Sequence, residues 1–215
     1  TLLSKYLGTD YRIAAGLRYR VLDDNTGYIR CATFAYNFGE GNLDNIMLYL
    51  APCNGLIVDL RDNGGGQLTA AEQLAARFTN ERLLVGYMQH KTGAAHQAFS
   101  TAEPILLKPF VGLRWQRQVV VLTNRRTYSA ANSFVMFLKG LPQVTIVGDT
   151  TGGGAGMPFS SELPNGWAVR FSACPMFNRH MQLTEMGIAP DVKVDITPSD
   201  YQRGVDTILE TAIDL

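Results

Sequence analysis

Ser129 is the residue of this chain best placed to act as a nucleophile. It follows a β-branched apolar run at 118–123, which reads as a buried strand, and a short polar turn. Small residues then open an apolar helix over 129–138. A hydroxyl at that point sits among the unpaired N–H groups and the positive dipole end of a helix. Fixed donors of that kind are what the oxyanion of acyl transfer needs after attack on a carbonyl. A plain helix cap is the competing reading, because serine fills that place well too.

A second turn repeats the design. Residues 55–60 read as a buried strand, and Asp59, Arg61, Asp62 and Asn63 lead into Gly64, Gly65 and Gly66. Glycines let backbone approach a ligand closely, although a turn that needs positive φ would use them as well. A phosphate loop would require a lysine after the run, and a dinucleotide fingerprint a third glycine after two further residues. Gln67, Leu68 and Thr69 supply neither. Two more segments draw notice: the glycine-rich loop 148–156, and Glu185 ahead of Gly187, Pro190 and Asp191. Alone, the loop reads only as flexible chain, and Glu185 as a solvated side chain.

Positioning these groups requires alternating strands and helices. Residues 17–22 and 28–34 are expected to pair as strands about the turn 23–27. A helix over 42–50, capped by Asn42, is followed by the strand 55–60 and a helix over 67–78. Residues 83–89 return as a strand, and 91–109, with Gly93, Pro104 and Pro109, read as irregular. The strand 118–123, the Ser129 helix and a strand at 144–147 form a second strand–helix–strand unit. Short strands such as 167–172 and one closing helix over 200–213 complete the pattern. No repeat or linker interrupts it, so one α/β domain is expected over residues 1–215.

Composition narrows the function classes. With 19 basic and 19 acidic residues among 215, the chain offers no electrostatic footprint for nucleic acid or an anionic membrane. Its longest apolar runs are too short to span a bilayer. Cys31, Cys53 and Cys174 lack zinc-ligand spacing and read as small buried hydrophobes, so no metal is expected. His90 and His96 sit on the irregular stretch with no obvious third ligand, and His180 precedes Glu185 by five residues. Arg125 and Arg126 flank the Ser129 turn, either as solvated loop residues or as partners for a substrate carboxylate.

In order, the four segments resemble one family, the serine peptidases that include C-terminal processing proteases and the tricorn protease core. Its turn D-L-R-x-N-x-G-G is similar to residues 59–66, its S-A-x-E/N nucleophile turn to 129–132, its G-x-x-T-x-G loop to 148–154, and its E-x-G-I-x-P-D close to 185–191. The resemblance runs from about Tyr28 to Val194 and implies a crotonase/ClpP-like α/β spiral of strand–helix units. The C-terminal processing branch carries a lysine base in the glycine loop, at the place of Gly154 here. The tricorn-like branch instead uses a histidine upstream of the core and a glutamate at the place of Glu185. The resemblance thus implies the tricorn-like branch, with its histidine ahead of Thr1.

By that resemblance the chain is a serine-type endopeptidase, cleaving extended peptide or protein substrates through an acyl-enzyme without a cofactor. Ser129 attacks, Glu185 positions a polar relay, and the N–H groups of Gly65 and Ala130 bind the oxyanion, with Gly64 or Gly66 as near alternatives. The resemblance also leans toward an exported, periplasmic or cell-envelope protein. Two other classes stay open: a non-catalytic module binding a hydrophobic ligand or peptide, as similarity to interphotoreceptor retinoid-binding protein allows, and, by fold analogy alone, an acyl-CoA enzyme of the crotonase type.

Overall fold

The computed structural model describes residues 2–215; Thr1, the first residue of the expected domain, lies outside the described residues. The chain begins with α1 (Leu2–Leu7), β1 (Arg12–Ala14), β2 (Leu17–Val21), β3 (Gly27–Arg30), α2 (Glu40–Leu50), β4 (Leu56–Asp59) and α3 (Leu68–Ala75). It continues through β5 (Leu83–Met88), β6 (Glu103–Leu107), β7 (Val119–Thr123), α4 (Ala130–Leu138) and β8 (Val144–Gly148). Last come β9 (Phe159–Glu162), β10 (Ala168–Phe171), β11 (Met176–Asn178), β12 (Val192–Lys193), α5 (Pro198–Arg203) and α6 (Thr207–Ile213).

Seven strands form the main sheet in the order β1-β2-β3-β4-β7-β8-β12. The first three are antiparallel, and β3, β4, β7, β8 and β12 run parallel. A parallel sheet is covered on both faces, which is why β4 and β7 read as continuous apolar runs rather than alternating ones. Alternation survives as a choice between two cores. Ile29, Val58, Val121 and Ile146 face α2, α3 and α4, whereas Tyr28, Ile57, Val120 and Val147 pack with Leu7 of α1 and with Ile208 and Leu209 of α6. Beside this body lie the antiparallel sheet β11-β5-β6 and the hairpin of β9 and β10.

Three expected elements differ from the structure. Helix α2 begins at Glu40 with Gly39 in the cap position, and Asn42 lies inside its first turn. The stretch 91–109 contains β6, which tolerates Pro104 because it is an edge strand needing no donor on its outer side. The single closing helix is two. Gly204 ends α5 in the left-handed conformation, φ 69°, and the Asp206 carboxylate restarts the chain as α6 by accepting the Leu209 N–H at 3.1 Å. No helix among the described residues is long and apolar enough to cross a membrane.

Candidate active site

Two neighbouring parallel strands bring the chemistry together. β4 and β7 pair from Leu56↔Val119 to Asp59↔Leu122, so the turns leaving their C-terminal ends lie side by side. That end of an open α/β sheet is the usual place for a ligand. Ser129 stands in the cap position of α4 with φ 57° and ψ −124°, a backbone state costing about 1–3 kcal/mol for a residue with a Cβ. Its side chain makes no cap hydrogen bond. Strain without a capping return argues that the turn is shaped to present the hydroxyl. The conformation is held by Ser129 N–H donating to the Gly153 carbonyl at 2.8 Å and Tyr128 N–H donating to the Asn63 carbonyl at 2.9 Å.

The glycine turn is pressed onto this one. A Cβ on Gly65 would lie 2.6 Å from the Ser129 Cβ and 2.9 Å from the Ala130 nitrogen, so only glycine lets the two turns close. Gly66, at φ 140°, meets the Phe34 backbone in the same way, 2.2 Å from its carbonyl carbon. The Gly65 N–H is committed: it donates to Asn63 Oδ1 at 2.9 Å, and Asn63 is wholly buried. The Gly66 and Ala130 N–H groups make no hydrogen bond with any described residue. Both residues line, with Ser129, a cavity of about 290 Å³. A larger cavity of about 630 Å³, lined by Phe38, Glu72, Arg77 and Phe110, includes no residue of either turn.

The glycine loop and the Glu185 segment are stitched to the same place. Gly154 N–H donates to the Glu185 carbonyl at 3.0 Å, and a Cβ on Gly153 would collide with that carbonyl at 1.9 Å. The Glu185 carboxylate accepts a hydrogen bond from Ser172 Oγ at 2.7 Å. Beneath them Asn132, fully buried in α4, donates to the Thr184 carbonyl at 3.2 Å and accepts from Thr151 Oγ1 at 2.6 Å. Thr151 Oγ1 in turn accepts the Ile188 N–H at 2.7 Å. Asn132 therefore locks the Ser129 helix to both the loop and the glutamate segment. In the sequence Asn132 and Thr151 were only letters of two motifs, and Ser172 carried no signal.

Comparison with known proteins places the chain in a family. Residues 25–194 match the profile of peptidase family S41. The chain belongs to peptidase family S41. A Bacillus subtilis carboxy-terminal processing protease, CtpA, is 26% identical over 183 residues, covering 84% of this chain and 37% of its own. The tricorn protease of Thermoplasma acidophilum is 26% identical over 163 residues, covering 74% of this chain and 14% of its own. A crystal structure from Parabacteroides merdae, provisionally described as a peptidase, superposes with a TM-score of 0.95 at 51% identity, over 99% of this chain and 68% of that one. The chain spans less than half the length of the curated relatives it matches.

Within this S41 chain, Gly154, where the resemblance puts the lysine of the C-terminal processing branch, has no room for a side chain. A Cβ on Gly154 would fall 1.9 Å from the Tyr128 ring, and Gly154 has φ 71°. Gly154→Lys is therefore expected to destabilise by about 1–3 kcal/mol through overpacking. Tyr128→Ala added to it is expected to recover part of the loss in thermal unfolding; equal stability of parent and Gly154→Lys would show that the ring yields freely.

None of the three histidines lines the Ser129 cavity. His90 Nδ1 lies 3.5 Å from Cys174 Sγ, His96 is exposed, and exposed His180 borders a separate cavity with Lys139 and Asp191. Cys31 and Cys53 are buried as expected, with burial pushing the Cys31 thiol up to about 12; Cys174 is only half-buried. The two arginines beside the nucleophile turn already hold partners: Arg125 pairs with Asp149 at 3.2 Å and Arg126 with Asp62 at 3.6 Å.

Proposed function

We propose that this S41 chain is the core of a serine endopeptidase in which Ser129 is the nucleophile. The observation that carries this is the strained Ser129 turn facing one cavity together with the unbonded N–H groups of Ala130 and Gly66. Ser129 Oγ, which bonds to no described residue, attacks a peptide carbonyl while its proton passes to a general base. The tetrahedral oxyanion is held by Ala130 N–H and by Gly66 N–H rather than Gly65, whose N–H serves Asn63. Collapse breaks the C–N bond, the base returns the proton to the leaving amine, and water then releases the acyl group as a carboxylate.

Glu185 positions the site through Ser172 and its own carbonyl, since Ser172 Oγ already donates to its carboxylate. The base is a histidine supplied from outside these residues, a reading supported by the absence of all three present from the cavity lining. An extended substrate lies along β10, which among the described residues pairs only with β9 and passes the cavity at Arg170. Treating the full-length protein with a fluorophosphonate is expected to give one adduct, at Ser129, lost on prior unfolding. A folded protein that stays unlabelled would favour the non-catalytic binding scaffold.

A further inference from the structure

Arg170 stands apart from the other cations near the site. It lies on β10, opposite Ser160 of β9, and is exposed, yet it makes no ion pair or hydrogen bond with any described residue. It also lines the Ser129 cavity. Three acids of the neighbouring turns are engaged elsewhere, and Glu162, diagonal to Arg170 across the β9–β10 pairing, forms no ion pair with it. Glu185 is held by Ser172, Asp149 by Arg125 and Asp62 by Arg126. The cavity it lines is mixed in character: Leu68, Ala155, Met157 and Met176 are apolar, and Ser129 and Ser133 carry hydroxyls. At about 30 Å³ per water, a volume of about 290 Å³ holds a peptide side chain or a chain end, not a folded domain.

A planar guanidinium whose donors meet no acceptor of the protein discriminates for a carboxylate, which it grips through two parallel hydrogen bonds. A neutral amide of the same shape leaves those donors half-used, and an ammonium group is repelled. Because the chain carries no net charge, such selection has to be local rather than a steering effect of the whole molecule.

We infer that Arg170 makes the cavity beside Ser129 a carboxylate-selecting subsite for peptide substrates. The inference rests on the peptidase reading above. The carboxylate comes either from an aspartate or glutamate side chain or from the substrate's own C-terminus. The full-length protein distinguishes the two with matched peptides: one with an internal Glu and an amidated end, one with Gln and an amidated end, and one with Gln and a free acid end. The wild type is expected to favour one carboxylate-bearing peptide over the neutral one by about 10- to 100-fold in kcat/KM. Arg170→Gln is expected to collapse that ratio toward one, and Arg170→Glu to turn it toward a Lys-containing peptide. Fluorophosphonate labelling of each variant reports whether the Ser129 site is intact. A wild type without preference, or a preference that survives in Arg170→Gln, overturns the inference and leaves the peptidase reading standing. If no peptide is cleaved and Ser129 does not label, the peptidase reading fails instead. Binding of the same three peptides to Ser129→Ala, followed by fluorescence anisotropy with and without Arg170→Gln, then decides whether the carboxylate subsite exists.

Discussion

Ser129→Ala in the full-length protein is expected to lower kcat for peptide hydrolysis by about a millionfold, the scale on which removal of a serine nucleophile abolishes acyl-enzyme chemistry. KM is expected to change little, because the cavity wall, Arg170 and the two oxyanion N–H groups remain. Stability supplies an independent reading. The backbone at Ser129 is strained at φ 57° and ψ −124°, and alanine, which also carries a Cβ, inherits that strain. Ser129→Gly relieves it and is expected to raise stability relative to Ser129→Ala while remaining inactive. A Ser129→Ala enzyme that keeps wild-type kcat would remove Ser129 from the chemistry. Two variants of equal unfolding free energy would show that the turn stores no strain.

Asp59→Asn is expected to have the largest effect on stability, a loss of about 3–5 kcal/mol, as when one partner of a buried ion pair is removed. Asp59 is 1% exposed at the end of β4 and accepts from Arg61 Nε at 3.0 Å, from a second Arg61 nitrogen at 2.7 Å and from Tyr28 OH at 2.7 Å, with Arg30 at 3.3 Å. Asp206 holds the other side of the Arg61 guanidinium at 2.8 Å and caps α6. The asparagine leaves two buried guanidinium groups short of an anion and loosens the strand that carries the glycine turn.

The pH dependence follows from the same contacts. Burial alone would push the Asp59 carboxyl up, but the charge and hydrogen bonds of Arg61, then Arg30 and the Tyr28 hydroxyl, hold it below its ordinary value of 3.8. A carboxyl that titrates lower folded than unfolded contributes fully above the unfolded value, and its contribution is lost as pH falls through the folded one. Urea midpoints of the wild type are therefore expected to fall below about pH 4, and those of Asp59→Asn to fall less steeply. Parallel curves for the two proteins would assign the acid sensitivity to other groups.

The elements most legible in the chain were those whose cause is local. The β-branched run at 118–123 forms β7 (Val119–Thr123), and the apolar run ahead of Asp59 forms β4, because buried parallel strands need apolar side chains on both faces. The misreadings at Asn42, Pro104 and Gly204 have different causes. Whether Pro104 sits at an edge depends on a strand absent from its neighbourhood in sequence. The break at Gly204 was written locally, in the glycine and in the Asp206 cap, and a single helix over 200–213 overran both.

The sequence by itself determined that a serine follows a buried strand, that three glycines follow a neighbouring one, and that their order matches one peptidase family. Each of those statements concerns residues close along the chain, where periodicity and turn chemistry act. Only the tertiary structure decided which N–H is free. Gly64, Gly65 and Gly66 are equivalent as letters, and the Asn63 side chain takes the N–H of Gly65 while that of Gly66 stays open beside Ser129. Folding also laid the Tyr128 ring against Gly154, tied Asn132 to Thr151 and Thr184, and left Arg170 unpaired at the cavity. These are contacts between segments 19 to 52 residues apart, and the packing that closes them is a property of the assembled sheet and not of any stretch of sequence.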